Sequence, residues 1–255
     1  MALRTLLVAT AIVLAAGHSA DLGAQRGRGG PPVTPQAGAP VDLTGLWVSV
    51  VTEDWRARMA APRKGERPGI PLNAEGVAAT NAWDPAKDEA AGETCRAYGA
   101  AGIMRAPGRL RISWADDTTV KIETEAGTQT RLLHFGAIAS GSAPSWQGDS
   151  RAVWEYAGGR RGGGAGGPGG SLKAVTTNMR PGYVQKNGVP YGGNAILTEY
   201  FNRTMEPNGD SWLILTSIVE DPQYFNVPFI RSTHFKKIPD GSGWDPTSCR
   251  TGEPR

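Results

Sequence analysis

The residues best suited to acid–base chemistry are two histidines that share a local pattern. His134 and His234 each stand directly before a phenylalanine, near the end of a predicted strand. If the two strands are close, both imidazoles could face one cavity and act as acid and base, or supply two ligands to a metal ion. The other interpretation is two separate strand histidines with no shared role.

Glu155 and Glu199 are the acids best suited to lining a pocket, because each is followed by a tyrosine. Desolvation in such surroundings would raise the pKa of a carboxyl group and prepare it for proton transfer. Two such groups across one cleft would match the carboxylate pair of a glycosidase. A salt bridge or a solvated strand face is the alternative for each of them.

Large aromatic residues in the strand-like segments favour a binding role over an enzymatic one. A barrel rich in such residues could hold a small apolar molecule in its interior. An envelope enzyme that uses the histidines and glutamates is one alternative, and an accessory subunit with a protein partner in the cell envelope is another. The residues that we expect to bind the ligand are Trp114, Trp154, Tyr156, Tyr200, Phe201 and Trp212.

Motifs for several other chemistries do not occur in the sequence. There is no Gly-x-Ser-x-Gly nucleophile motif, and the glycine run at 158–170 lacks the Lys-Ser/Thr of a phosphate loop. We therefore expect no cofactor and no bound metal. The formal net charge is only +3 and the arginines are scattered, which argues against a nucleic-acid partner.

A two-residue period predicts β structure from Arg109 onward. Leu110, Ile112 and Trp114 share one face of the first of these strands, and a meander continues to Phe135. Together with a strand at 46–52, about nine strands are expected. This number predicts a mainly β fold, and an antiparallel barrel in preference to a sandwich. Short helical segments are expected between residues 72 and 95. The later strands are expected at 150–157, 171–178, 195–203, 211–219 and 229–237, with strong turn dipeptides at Asn187-Gly188 and Asn208-Gly209.

The N-terminal residues are typical of an export signal. An apolar stretch follows Arg4 and is far shorter than the roughly 20 residues of a membrane-spanning helix. We expect a signal peptide at 1–24, whose cleavage leaves a periplasmic or secreted chain with no transmembrane span; an uncleaved anchor is the alternative. Residues 25–41 are expected to form a flexible tether and 42–255 a single β domain, with a flexible glycine-rich loop at 158–170.

The two cysteines of the chain, Cys95 and Cys249, are predicted to form a disulfide. An even pair in an exported protein most often does so. Two free thiols are the alternative.

Two resemblances add to this interpretation. The segment Thr44-Gly45-Leu46-Trp47 resembles the Gly-x-Trp opening of lipocalins and other calycin-type barrels. That resemblance implies structural roles for Trp47, which would close the barrel floor, and for Arg231, which would pack on it from a late strand. The order of further segments resembles a group of secreted bacterial β proteins of uncharacterised activity, which implies architecture and compartment but no chemistry. These segments are DLTGLW at 42–47, PLNAEG at 71–76, the segment around Cys95, GRLRI at 108–112, Trp154-Glu155, TEYF at 198–201 and EDPQYFNVPF at 220–229.

Overall fold

The computed structural model describes residues 33–52, 55–59, 62–138, 141–158 and 169–251. The predicted signal peptide, the first half of the predicted tether and most of the glycine-rich loop lie outside these residues. Within the described part of the chain, no helix has the length and apolar character needed to cross a bilayer.

Nine strands of the described chain close into one barrel, which confirms the predicted barrel class. The order around the ring is β1-β11-β10-β9-β6-β5-β4-β3-β2, and β7 and β8 form a separate hairpin. The nine barrel strands lie within about one or two residues of the predicted ones, whereas β7 and β8 were not predicted as strands. Their bounds are β1 Gly45–Val50, β2 Arg109–Asp116, β3 Thr119–Thr124, β4 Gln129–His134, β5 Asp149–Tyr156, β6 Gly170–Thr177, β7 Gly182–Gln185, β8 Val189–Tyr191, β9 Ile196–Met205, β10 Ser211–Glu220 and β11 Phe229–Ile238.

The helices are short and occupy the irregular block before β2, as expected for residues 72–95. The amide of Gly76 donates to the side chain of Asn73, which caps the longest helix. Pro85 begins the next one, where a missing amide hydrogen costs nothing. The bounds are α1 Trp55–Arg58, α2 Ala74–Ala82, α3 Pro85–Ala90 and α4 Ala100–Ile103, with a 3₁₀ turn at Arg96–Tyr98.

One strand pair departs from the expected antiparallel arrangement. β4 and β5 run parallel and share a short register in which Leu133 pairs with Ser150 and His134 with Arg151. Parallel neighbours cannot be joined by a two-residue hairpin, so the chain makes a longer excursion at 135–148 before β5 begins. The ring is therefore a mixed barrel that is antiparallel at its eight other strand pairs, in keeping with the mostly antiparallel barrel that the sequence predicts.

Both ends of the barrel are covered. Residues 33–44, which we call the strap, lie across the end where β2, β4 and β5 finish, and we call this end the strap mouth. The helical block and the β7–β8 hairpin cover the other end, which we call the helix mouth. There Leu197 and Phe229 from the barrel pack with Ala101 and Val184 from the cover.

The centre of the barrel is packed with apolar side chains. Inward-facing positions of the strands contribute fully buried residues at every level, so the interior resembles an ordinary protein core. The space left for a ligand is at the ends of the barrel. The central residues are Trp47, Ile122, Leu133, Leu172, Phe201, Leu213 and Leu215.

Asp88 connects the helical block to the hairpin over the helix mouth. One carboxylate oxygen accepts from the Arg96 guanidinium at 2.7 Å, and the other from the Tyr183 hydroxyl at 2.8 Å and the Trp83 indole at 3.2 Å. Burial and the bond to Asp88 raise the pKa of Tyr183 well above its ordinary value. Tyr183 is therefore neutral, and its bond to Asp88 together with the Asp88–Arg96 ion pair joins the hairpin to the helical block.

Gly188→Ala is expected to lower the free energy of unfolding by about 2 kcal/mol. Gly188 ends the predicted Asn187-Gly188 turn with φ +83°, where a β-carbon is strained, and an added methyl would overlap the Trp83 side chain. Gly209→Ala is the matched control, since Gly209 has φ +85° in an equivalent Asn-Gly turn with open space around it. Urea unfolding of the oxidised proteins measures both. Equal losses in the two variants would contradict a packing role for Gly188.

Candidate functional site

The strap is bound to the barrel rim by hydrogen bonds to its backbone. The Trp154 indole donates to Pro35 O at 2.8 Å, and the Tyr156 hydroxyl donates to Gly38 O at 3.2 Å. The Gln36 amide donates to Asp117 O in the β2–β3 turn at 3.1 Å. The described half of the predicted tether therefore lies in contact with the end of the barrel.

A cleft of about 350 Å³ opens between the strap and the strap mouth. Seven of its ten described lining residues are apolar, and they include two of the predicted ligand-binding residues, Trp114 and Trp154. The described lining residues are Gln36, Ala39, Val41, Asp42, Leu43, Thr44, Ile112, Trp114, Val120 and Trp154.

Trp114 and Trp154 belong to an aromatic cluster at this mouth. Their ring centroids are 6.4 Å apart, and Phe135 lies 5.8 Å from Trp114 and 5.4 Å from Trp154. All three side chains are only partly buried, although they pack on the core. Partly exposed aromatic rings that are held by their neighbours offer a ligand large apolar faces at low entropic cost.

Asp42 is the charged residue among those that line the cleft. Its Oδ1 accepts from the Thr44 amide at 2.9 Å and from the Thr44 hydroxyl at 2.7 Å, while Oδ2 lies 3.9 Å from the Arg203 guanidinium. Burial acts to raise the pKa of Asp42, but the bonds from Thr44 and the charges of Lys237 and Arg203 lower it below its ordinary value. The side chain is 60% exposed and ionised at neutral pH.

Glu199, one of the predicted acids, is fully buried inside the barrel in an ion pair with Arg131. The Arg131 guanidinium donates to both carboxylate oxygens, at 3.0 Å and 2.5 Å, and neither side chain is exposed. Glu199 therefore forms a salt bridge, which was the alternative to a role in lining a pocket. A carboxylate that is closed off from solvent and bound at both oxygens is not placed to act on a ligand in the cleft.

Polar neighbours surround this pair between the two apolar clusters. The Thr176 hydroxyl lies 3.5 Å from the Arg131 guanidinium and 2.7 Å from the Ser150 hydroxyl. Burial raises the pKa of Tyr191 on β8, and the charge of Arg131 opposes that rise. These contacts form a polar layer across an otherwise apolar interior.

The two histidines lie on opposite sides of the ring. β4 and β11 are separated by β1, β2 and β3 in one direction and by four strands in the other. Each histidine stands beside an inward-facing buried residue, Leu133 or Phe235, so both imidazoles point outward. His134 Nδ1 lies 3.3 Å from the Thr119 hydroxyl and His234 Nε2 lies 3.4 Å from the Ser232 hydroxyl. The structure does not bring the pair to a common cavity.

The other predicted site residues are divided between the inside and the outside of the barrel. Phe201 is buried in the core, and Tyr156 reaches the strap. Tyr200 neighbours the inward-facing Phe201 and lies on the outside, with the Lys173 amine 5.3 Å from its ring. Glu155 is an exposed acid 3.9 Å from the same amine, and Trp212 pairs in register with Lys236.

Trp47 is fully buried and its indole donates to Leu43 O at 3.0 Å, beneath the strap. The cation over its ring is Lys237, at 5.5 Å, where the lipocalin resemblance implied Arg231. Arg231 stands instead over Phe229 at 4.5 Å and donates to Gly69 O at 2.8 Å. Trp47 and Arg231 therefore both have packing roles, but at different places in the barrel.

Cys95 and Cys249 form the predicted disulfide, which joins the 3₁₀ turn to the C-terminal segment. That segment also bonds to the barrel, because the Thr247 amide donates to Glu125 O at 2.8 Å and the Arg250 amide to the Tyr98 hydroxyl at 3.2 Å. A disulfide of this kind fits an oxidising compartment.

A second cleft, of about 380 Å³, lies on the side of the helix mouth and carries no functional assignment. Its described lining residues are Met59, Tyr98, Pro107, Ala126, Lys186, Thr247, Ser248 and Arg250.

Sequence reasoning missed two parts of the site. Residues 33–41 of the strap were interpreted as part of a flexible tether because glycines and prolines are typical of linkers, although Val41 at the end of this stretch and Leu43 just beyond it pack with the barrel core. Asp42 was taken only as the first residue of the domain. In the described residues, no group of three or more potential metal ligands occurs.

Comparison of the chain with protein-family models, with curated proteins and with solved structures finds no match. A function for this protein must therefore be inferred from its own residues and their geometry.

Proposed function

We propose that this chain is an exported binding protein that holds a small, mainly apolar molecule at the strap mouth of its barrel. The observation that carries the proposal is the cleft of about 350 Å³ between the strap and two partly buried tryptophans. Its volume lies within the range of roughly 300–1,000 Å³ common for small-molecule sites. The apolar lining favours a ligand with an apolar body.

The mouth is favoured over the barrel centre because the centre is already filled. A ligand in the interior would have to displace side chains such as Phe201 and Leu215, which are fully buried. Removing core packing of this kind costs several kcal/mol per large side chain, roughly 2–5. Binding at the mouth needs only the replacement of water against the strap and the aromatic rings.

Export is supported by two features of the chain. The N-terminal residues have the charge and apolar length of a signal peptide, and the disulfide is of the kind that persists outside the cytoplasm. The proposed location is the periplasm or the extracellular space, after removal of residues 1–24. Mass measurement of the protein secreted from a full-length gene checks this, and a mature chain that begins at Gln25 is expected.

Filling the cleft is expected to abolish ligand binding and leave the fold intact. Ala39 lines the cleft from the strap, so Ala39→Phe places a ring in the space that a ligand would occupy. The neutral fluorescent probe N-phenyl-1-naphthylamine is titrated into the oxidised protein, and we expect saturable binding to wild type with a free energy of about −7 kcal/mol, in the micromolar range. The variant should bind at least about tenfold more weakly, the effect of losing roughly 1.4 kcal/mol.

Ala37→Phe is the matched control, because Ala37 lies on the same strap but is exposed and does not line the cleft. It should bind the probe like wild type. Circular dichroism and thermal melting show whether the strap and barrel remain folded in both variants. No saturable binding to wild type, or equal binding by the two variants, would refute the proposed site.

A further inference from the structure

The charge distribution at the strap mouth narrows the class of ligand. Asp42 is the charged residue among the described residues that line the cleft, and the remaining lining side chains are apolar, hydroxyl or amide groups. Asp117 lies beside the strap in the β2–β3 turn, where its carbonyl accepts the Gln36 amide. The side of the cleft formed by the strap therefore carries negative charge.

One oxygen of the Asp42 carboxylate has capacity for a ligand. Thr44 occupies Oδ1 with two hydrogen bonds, whereas Oδ2 has the Arg203 guanidinium only at 3.9 Å, beyond hydrogen-bond distance. The carboxylate is also held ionised, since its pKa lies below the ordinary value. A donor or a positive charge on a ligand would find an oriented acceptor there.

The aromatic walls favour the same kind of group. The faces of tryptophan rings carry negative electrostatic potential and attract organic cations within about 6 Å of the ring. Trp114 and Trp154 both line the cleft in which Asp42 lies. Indole rings and one carboxylate that line a common cleft are elements that can bind an ammonium group.

Two positive groups near Asp42, Lys237 and Arg203, oppose this negative charge. The Arg203 guanidinium donates to Asp42 O and to the Ser211 hydroxyl, each at 2.7 Å, and Lys237 stands over Trp47. Neither side chain lines the cleft. His134 faces outward on β4 and lies near Asp116 at the same mouth. The cleft should therefore prefer a cationic ligand over a neutral one only moderately.

We infer that the ligand of the strap mouth is an amine-bearing or other cationic molecule with a flat, ring-containing apolar body, bound between Trp114, Trp154 and Asp42. This inference rests on the proposed function and specifies it further. It predicts that fatty acids and other apolar anions are poor ligands.

The test compares three naphthalene compounds that differ in their head group. 1-Naphthylmethylamine is a cation at neutral pH, 1-naphthalenemethanol is neutral and 1-naphthoate is an anion, and each competes with N-phenyl-1-naphthylamine for the wild-type protein. We expect the amine to bind about tenfold more tightly than the alcohol, and the anion most weakly. The advantage of the amine should shrink as salt is added, because the charges are partly exposed.

Asp42→Asn should remove most of the preference for the amine while leaving the binding of the alcohol unchanged. The introduced amide would keep an oxygen to accept from Thr44, so the strap should retain its conformation. Asp117→Asn is the control, since it removes a negative charge from the same mouth at a residue that does not line the cleft. It should keep nearly all of the preference.

The outcomes separate this inference from the proposed function. If the alcohol or the anion binds as tightly as the amine, or the preference survives in Asp42→Asn, the inference is overturned while the binding function stands. If neither the reporter nor any of the three compounds binds wild type, the proposed function fails and the inference fails with it.

Discussion

Glu199→Gln is expected to lower the free energy of unfolding by about 4 kcal/mol. Glu199 and Arg131 are fully buried and paired through both carboxylate oxygens. Removing the negative charge leaves a guanidinium without its countercharge in the interior, and such a loss typically costs roughly 3–5 kcal/mol. Urea unfolding of oxidised wild type and variant, followed by tryptophan fluorescence, measures the difference.

Two further variants show whether the loss comes from the isolated charge. Glu155→Gln removes an exposed acid that lies 3.9 Å from Lys173, and it should change the stability by less than about 0.5 kcal/mol. The double variant Arg131→Met/Glu199→Leu replaces the whole pair by apolar groups and should recover most of the stability. A double variant that is as unstable as Glu199→Gln would show that the polar layer itself, and not an unpaired charge, stabilises the barrel.

Removing the disulfide by Cys95→Ala/Cys249→Ala is expected to cost about 4 kcal/mol. The two cysteines are 154 residues apart, so the bond constrains nearly the whole barrel in the unfolded chain. It also holds the C-terminal segment against the Glu125 turn, where the Thr247 amide is bonded. The double variant should melt at a clearly lower temperature and should lose protection of residues 239–251 from proteolysis first.

Reduced wild-type protein is the control for that experiment. Treatment with a thiol reductant removes the same crosslink without changing the side-chain volume much, so its stability should approach that of the double variant. If reduction or substitution leaves the unfolding midpoint unchanged, the C-terminal segment is held by its hydrogen bonds and packing alone.

Local patterns in the sequence predicted most of the fold. The alternation of Leu110, Ile112 and Trp114 placed β2 and its inward face correctly, because one side of each barrel strand packs on the core. The Asn187-Gly188 dipeptide predicted the turn of the β7–β8 hairpin. The even number of cysteines, together with the predicted export signal, was enough to predict the disulfide.

Properties that depend on distant parts of the chain could not be predicted in this way. The partner of Glu199 is Arg131, 68 residues earlier, and no local pattern connects them. Tyr200 and Trp212 were grouped with Trp114 by residue type alone, whereas their strand positions turn them outward. The parallel contact of β4 and β5 depends on where the excursion at 135–148 returns, and such excursions carry no periodic signal.

The parallel pairing of β4 and β5 determines how far along the barrel axis Trp154 lies. Because Ser150 pairs with Leu133, near the end of β4, the remainder of β5 rises beyond that neighbour, and Trp154 stands about 13 Å further along. That vertical offset brings its indole level with Pro35 and beside Phe135. A shift of β5 by two residues along β4 would keep Trp154 on the inner face of the barrel and move its indole by about 7 Å relative to Phe135, which would change the size of the opening.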